Sequence, residues 1–337
     1  MAEFLIRRLL WMIPVIIAVA AVTFFLMYRA PGGPWDREKP LPTAVQATLD
    51  AKFGLDKPLW VNPDEFGERW NAGERSPFLL GQGFFDSRFL SYMSNVFRGD
   101  LGPSYASKGA ESVQEVIARK FPVSLKIGIV ALVFAVVVGV PLGVMGALYQ
   151  NSWIDYTTRV ISTFGVAVPS FISGLLILLF LTRRMGYSPM RDPSEWKGFG
   201  VAFLLPGIIL GLGTMSYMAR LTRSSMIEVK RQDFVRTARA KGLTDPMVIN
   251  RHIIRNALIP VVTVLGPAAA DLVTGSIIIE NIYGAPGLGE EFVSSIAKRD
   301  YSVIMGTAIF YALLVAAANV LVDITYGLVD PRIRLGK

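Results

Sequence analysis

The reactive side chains of this sequence are few. It has no cysteine and one histidine, His252. A disulfide framework and a cysteine-ligated zinc site are excluded, and a lone imidazole with no second His as co-ligand reads as a surface or interfacial group. The run Gly284-Ala285-Pro286-Gly287-Leu288-Gly289 is glycine-rich but lacks the Lys-Ser/Thr ending of a phosphate loop, so it reads as a bend. What remains is non-covalent chemistry, in two places. Residues 228–260 carry Arg231, Arg236, Arg239, Lys241, Arg251 and Arg255 against Glu228, Asp233 and Asp245, a basic stretch set between apolar runs. Asp271, Asn319 and Asp323 lie inside apolar runs, Asp271 nearest the middle of its own. A carboxylate at the centre of a bilayer costs at least ~2.5 kcal/mol, so it faces protein or water. Two readings of these three residues stand: a polar wall of a solute path that meets an amino group, or bonds to a neighbouring helix.

The basic stretch reads as two helices meeting at a corner. Good helix formers run from about Val229 to Lys241, with Arg239 and Lys241 at the end where the helix dipole favours cations. Gly242 is the residue best able to close a helix in the left-handed conformation. Thr244 or Asp245 is placed to cap the next helix, and Pro246 suits its first position, where no backbone donor is lost. Arg239 and Lys241 either contact an acidic groove or keep the helix end soluble.

These groups must be held by membrane spans. The chain has 337 residues, 52% of them hydrophobic, with mean hydropathy +0.46 and net charge +8. The basic residues cluster beside apolar runs, which fits membrane topology better than nucleic-acid binding. Apolar runs at 9–28, 125–149, 160–181, 199–219, 258–283 and 303–328 approach or exceed the ~20 residues needed to cross a bilayer. The first has basic residues before it and no small-x-small cleavage site after it, so it reads as a retained helix rather than a signal peptide. Trp11, Tyr28 and Trp35 sit near its ends as interface anchors. Lys126, at the outer end of the second run, can extend its amine to the headgroups. Gly139, Pro141, Gly143 and Gly146 loosen that run and permit close helix contacts.

Between the first two spans lies a polar segment, 31–121. Thr43–Phe53 reads as a helix broken at Gly54, and 61–88 as loop or irregular structure. Residues 87–97 read as an amphipathic helix with Phe89, Leu90, Met93 and Phe97 on one side. Residues 98–104 form a turn cluster. Ser112 and Glu115 have capping-box spacing, opening a helix towards Lys120. With six spans both ends share one side. Arg7, Arg8, the basic corner and the tail residues Arg332, Arg334 and Lys337 make that side cytoplasmic, against the opposing charge of 183–197.

The order of several short pieces is specific. Phe234 to Leu243, then Arg251-His252 and Asn256 to Pro260, resembles the EAA loop of binding-protein-dependent ABC importer permeases, within them the peptide/nickel group. The Pro-Gly exit at 31–34, Gly54–Pro58, Gly99–Ser104, the Pro-Gly-Leu-Gly loop, Arg299-Asp300-Tyr301 and Asp330-Pro331-Arg332 are similar to the same group. Where the loop's Glu-Ala-Ala falls, this chain has Arg236-Thr237-Ala238, which removes any Glu-specific contact.

The resemblance implies an all-α polytopic protein with six transmembrane helices and the type I ABC importer permease architecture. It has an N-terminal helix (1–30), an extracytoplasmic region (31–121) with an insertion near 61–88, and a permease core (122–337). It further implies a prokaryotic inner-membrane subunit that takes peptides from an extracytoplasmic binding protein and pairs with a second, homologous permease. Two cytoplasmic ATPases, which bind the ATP and Mg, couple through Ala238, Arg239, Ala240, Lys241, Gly242, Leu243 and Asp245. The chain itself would hold no cofactor or metal and catalyse nothing. Oligosaccharide or nickel-complex transport is the alternative within the group. A self-sufficient secondary transporter is weakened by the lack of an internal repeat. A membrane hydrolase is weakened by the lack of a nucleophile–base pair.

Overall fold

Pro169 and Gly275 interrupt two of the apolar runs, and at both places the chain turns. The computed structural model describes residues 2–35, 42–186, 188, 193–196 and 198–329, and among these the regular structure is helical. Two units divide the chain: residues to Arg8, Lys120–Glu291 and from Leu314 form one, Leu9–Arg119 and Phe292–Leu313 the other.

In the unit holding Lys120–Glu291, helix α6 (Val113–Leu148) continues without a break from the Ser112 cap through Pro122 and Pro141. Two separate helices were expected here. At 1.5 Å per residue, 36 residues span about 54 Å, well over the ~30 Å of a hydrocarbon core, so the charged first turns extend beyond it. The capping box forms fully: Ser112 N–H donates to Glu115 Oε2 (2.9 Å) and Glu115 N–H to Ser112 Oγ (3.3 Å). Gly139 and Gly143 let α6 lie against α9 (Leu204–Lys230), where a Cβ would stand 2.5 Å from the carbonyls of Met215 and Ala219. Lys126 turns its amine onto the Gly198 carbonyl (3.1 Å) and the Phe203 ring.

The third apolar run is not one straight span. Helices α7 (Trp153–Ala167) and α8 (Ser170–Met185) meet at Pro169 with a bend of 103°. Val168 is extended, the conformation favoured before a proline. The fifth run is also divided. Helix α13 (Ile259–Val273) ends at Thr274, Gly275 takes φ +79°, and a short α14 (Ile277–Tyr283) follows with Ser276 as its cap. Among the described residues four helices are long and apolar enough to cross a membrane, and up to six spans result if Trp153–Ala167 with Ser170–Met185, and Asp245–Ala257 with Ile259–Val273 (a bend of 44°), each count as one.

The other unit gathers most of α1 (Ala2–Arg29), α2 (Thr43–Phe53), α3 (Pro63–Asn71), α4 (Pro77–Phe85), α5 (Arg88–Phe97) and the start of α16 (Tyr301–Val329). Its core joins Ala20, Phe24, Phe89, Met93, Tyr301 and Ile309. Residues 61–88, expected to be irregular, contain two helices. Asn62 caps α3 by accepting from Glu65 N–H, Pro63 opens it, and Phe66 packs edge-on against Phe84 of α4. Ser87, read as part of the helix, instead caps α5 by accepting from Leu90 N–H, and Phe97 is exposed rather than on the buried face with Phe89 and Met93.

Candidate functional site

Helix α9 stops at Lys230 rather than running on to Lys241. Gln232 is extended and α10 (Asp233–Ala240) begins anew. The break turns Val235 and Ala238 onto a buried cluster with Ala147, Met226, Val248, Ile253 and Ala257. The opposite face of α10 leaves Phe234, Arg236, Arg239 and Ala240 exposed, with Lys241 following. Two bonds close the end of α10: Gly242 N–H donates to Arg239 O (2.9 Å) and Leu243 N–H to Ala238 O (3.4 Å). Leu243 packs on the same apolar cluster as Ala238, the hydrophobic contact that accompanies this closure. Gly242 has φ +80° and open space around it, so backbone conformation alone demands glycine there.

The second arm is α11 (Asp245–Met247), a π-helical segment Val248–Ile254, and α12 (Arg255–Ala257). Thr244 takes the capping position without a capping bond. Asp245 instead lies 3.3 Å from Arg239 Nε, tying the two arms across Gly242. Both side chains are largely solvated, which limits the pair to ~1 kcal/mol or less. His252 is half-buried in the π segment, its carbonyl accepting from Asn256 Nδ2 (2.6 Å). The structure thus brings Ala238, Arg239, Ala240, Lys241, Gly242, Leu243 and Asp245 into one corner.

The intramembrane polar residues are more dispersed. Asp271 is exposed on α13, its carbonyl accepting from Thr274 Oγ1 (2.6 Å), and Asn319 is exposed on α16. The Asp323 side chain and the tail with Arg332, Arg334 and Lys337 lie outside what is described. Among the described residues no group of three or more His, Cys, Asp or Glu could hold a metal.

Three polar nodes escape sequence reasoning. Asp155 of α7 is fully buried and held by Arg223 of α9 through two bonds, Nε–Oδ1 2.6 Å and Nη2–Oδ2 2.8 Å; Asn151 N–H adds a third (2.9 Å). Glu280 of α14 is fully buried, and its Oε2 accepts from the N–H groups of Gly289 and Glu290 at the start of α15 (Leu288–Lys298). The glycine-rich loop exists for this carboxylate: a Cβ at Gly287 would lie 2.3 Å from Oε2, and one at Gly275 2.7 Å from Oε1. In the other unit, Asp300 accepts from Ser104 Oγ (2.5 Å) and from the N–H groups of Tyr105, Ala106 and Val303, fastening the 104–106 turn to the start of α16. Nearby, burial pushes the Tyr92 and Tyr105 phenols well above their usual range. Capping and loop signals marked the vicinity of each node, but nothing in the sequence pairs residues 68 or 196 positions apart.

The chain is 38% identical over 337 residues to the dipeptide transport system permease protein DppB of Bacillus subtilis (strain 168), covering 100% of this chain and 99% of that protein. It is 37% identical over 335 residues to the oligopeptide transport system permease protein OppB of Haemophilus influenzae, covering 99% and 100%. Among solved structures, the fold matches one of the MetNI methionine ABC transporter in inward-facing conformation. That match has a TM-score of 0.52 and 19% identity, and covers 64% of this chain and 96% of that one. Residues 139–335 match the model for the binding-protein-dependent transport system inner membrane component. The chain therefore belongs to that family, the permeases of ABC importers, as its helical corner and apolar helices had indicated.

Proposed function

We propose that this protein is a permease subunit that imports peptides delivered by an extracytoplasmic binding protein, with both of its termini in the cytoplasm. The transport names of its full-length relatives and the exposed corner at Gly242 support the reading. A second, homologous permease completes the path, and two cytoplasmic ATPases, which hold ATP and Mg, grip the face formed by Arg239, Ala240 and Lys241. In this reading the divided runs 160–181 and 258–283 each count as one span, giving six. Asp271, Asn319 and Asp323 contribute polar groups to the path.

The corner carries the reading because it is rigid where it must transmit motion. Its inner face is anchored in the apolar cluster, while its outer face presents cations. The test is a pull-down from native membranes comparing wild type with Gly242→Pro and Arg239→Glu. Proline cannot reach φ +80°, whereas the Arg239 variant leaves the backbone unchanged. Wild type should bring down two ATPases and a second permease, and both variants should lose the ATPases while keeping the permease. A wild-type protein that comes down alone and transports in proteoliposomes without ATP overturns it.

A further inference from the structure

A cavity of about 210 Å³ opens within the unit that contains α2 and α5, in a place no transport role yet explains. Its wall carries three cations, Lys52, Lys57 and Arg88, and no carboxylate. Six of the other fifteen lining residues are aromatic, among them Tyr28, Tyr92 and Tyr105. The cations are fixed by bonds that leave donors over. Lys52 Nζ gives one hydrogen bond to the Lys108 carbonyl (3.1 Å), Lys57 Nζ one to Asp86 (2.6 Å), and Arg88 Nε one to the Lys57 carbonyl (2.5 Å). An ammonium has three donors and a guanidinium five. The Tyr92 hydroxyl is buried with no hydrogen-bond partner. A buried polar atom left unpaired is costly, and in native structures it usually has a partner.

We propose that this cavity binds an organic carboxylate carried on an apolar or aromatic body, as the C-terminal residue of a peptide presents. The cations meet the carboxylate, the Tyr92 hydroxyl donates to it, and the aromatic wall receives the side chain. A volume of about seven water molecules, at ~30 Å³ each, accommodates one amino-acid residue and not a folded segment. A fatty acid offers the same chemistry. The peptide source rests on the import reading above; the carboxylate site does not.

The experiment uses the full chain in nanodiscs and follows tryptophan fluorescence. Trp35 is buried and stacks on Tyr105 at 5.7 Å, so it reports on the wall. N-acetyl-phenylalanine should bind saturably, and N-acetyl-phenylalaninamide about tenfold more weakly, as loss of a charged hydrogen-bonding group implies. Tyr92→Phe, which removes one oxygen, and Lys52→Gln, at an exposed position, should each weaken the acid several-fold, by roughly one hydrogen bond's worth. Tighter binding of dodecanoate, weakened by the same variants, supports the carboxylate site and assigns its source to lipid. No saturable signal from either acid overturns the proposal, as does equal binding of acid and amide or indifference to both variants. Peptide uptake measured separately in vesicles reports on the import reading alone.

Discussion

Arg223 holds Asp155 through two parallel hydrogen bonds, 2.6 and 2.8 Å, that join α9 to α7. Arg159, 3.5 Å away on the solvent side, adds a second cation. The carboxylate has no exposed surface, so its two oxygens depend wholly on these partners and on the Asn151 N–H.

Removing one member should therefore hurt more than removing both. Asp155→Asn is expected to destabilise the protein by about 3 kcal/mol, because it removes the charge partner of the half-buried Arg223 fork, whereas Asp155→Leu with Arg223→Met should cost less. Thermal unfolding in detergent compares the variants. A loss in the double variant equal to the sum of the losses from Asp155→Leu and Arg223→Met alone would show that the pair is not coupled.

The cage around Glu280 makes a size-based prediction. Gly287→Ala places a methyl group 2.3 Å from Oε2 and must displace the carboxylate or the loop, so the N–H groups of Gly289 and Glu290 lose their acceptor. A loss of about 2 kcal/mol is expected for such a buried charged hydrogen-bond set. Gly186→Ala, at a helix end with open space around it, is the control: it carries the backbone strain of φ +64° and no clash. Faster amide exchange at 287–290 in the first variant alone would locate the damage.

Tyr92 and Tyr105 should titrate late. Both phenols are raised above 10.0 chiefly by burial, which disfavours the phenolate. The folded state therefore prefers the neutral form. The stability it contributes is complete below pH 10, the unfolded value, and is lost as pH rises from there towards the folded values. Alkaline difference spectra should show Tyr92 and Tyr105 among the tyrosines that ionise only as the protein unfolds, and Tyr92→Phe should lower their number by one. A Tyr92 that ionises at its ordinary value in the folded protein contradicts the burial described.

Much of the corner could be read in advance because its signals are local. Gly242 and Leu243 close α10 within six residues, and the Ser112–Glu115 box spans four. The failures were non-local or compositional. The apolar run 160–181 has no polar mark where it turns at Pro169, since both arms are equally apolar and a proline is also tolerated within α6. Helix α3 was hidden among aromatics although Asn62-Pro63-Asp64-Glu65 is a readable start. The break at Gln232 was missed because Val229–Lys241 is made of good helix formers throughout. Burial of Val235 and Ala238, a tertiary demand, decided where the helix stopped.

The π segment Val248–Ile254 gives the second arm of the corner one residue more than an α-helix would use over the same path, since each backbone bond there spans five residues instead of four. Insertions and deletions in this arm are therefore unequal. Losing a single residue between Val248 and Ile254 lets the arm rewind as ordinary helix, with Asp245 and Arg255 keeping their faces. Losing one from α10, which has no slack, rotates Val235 and Ala238 by about 100° out of their cluster. The corner has a built-in spare residue on one side only.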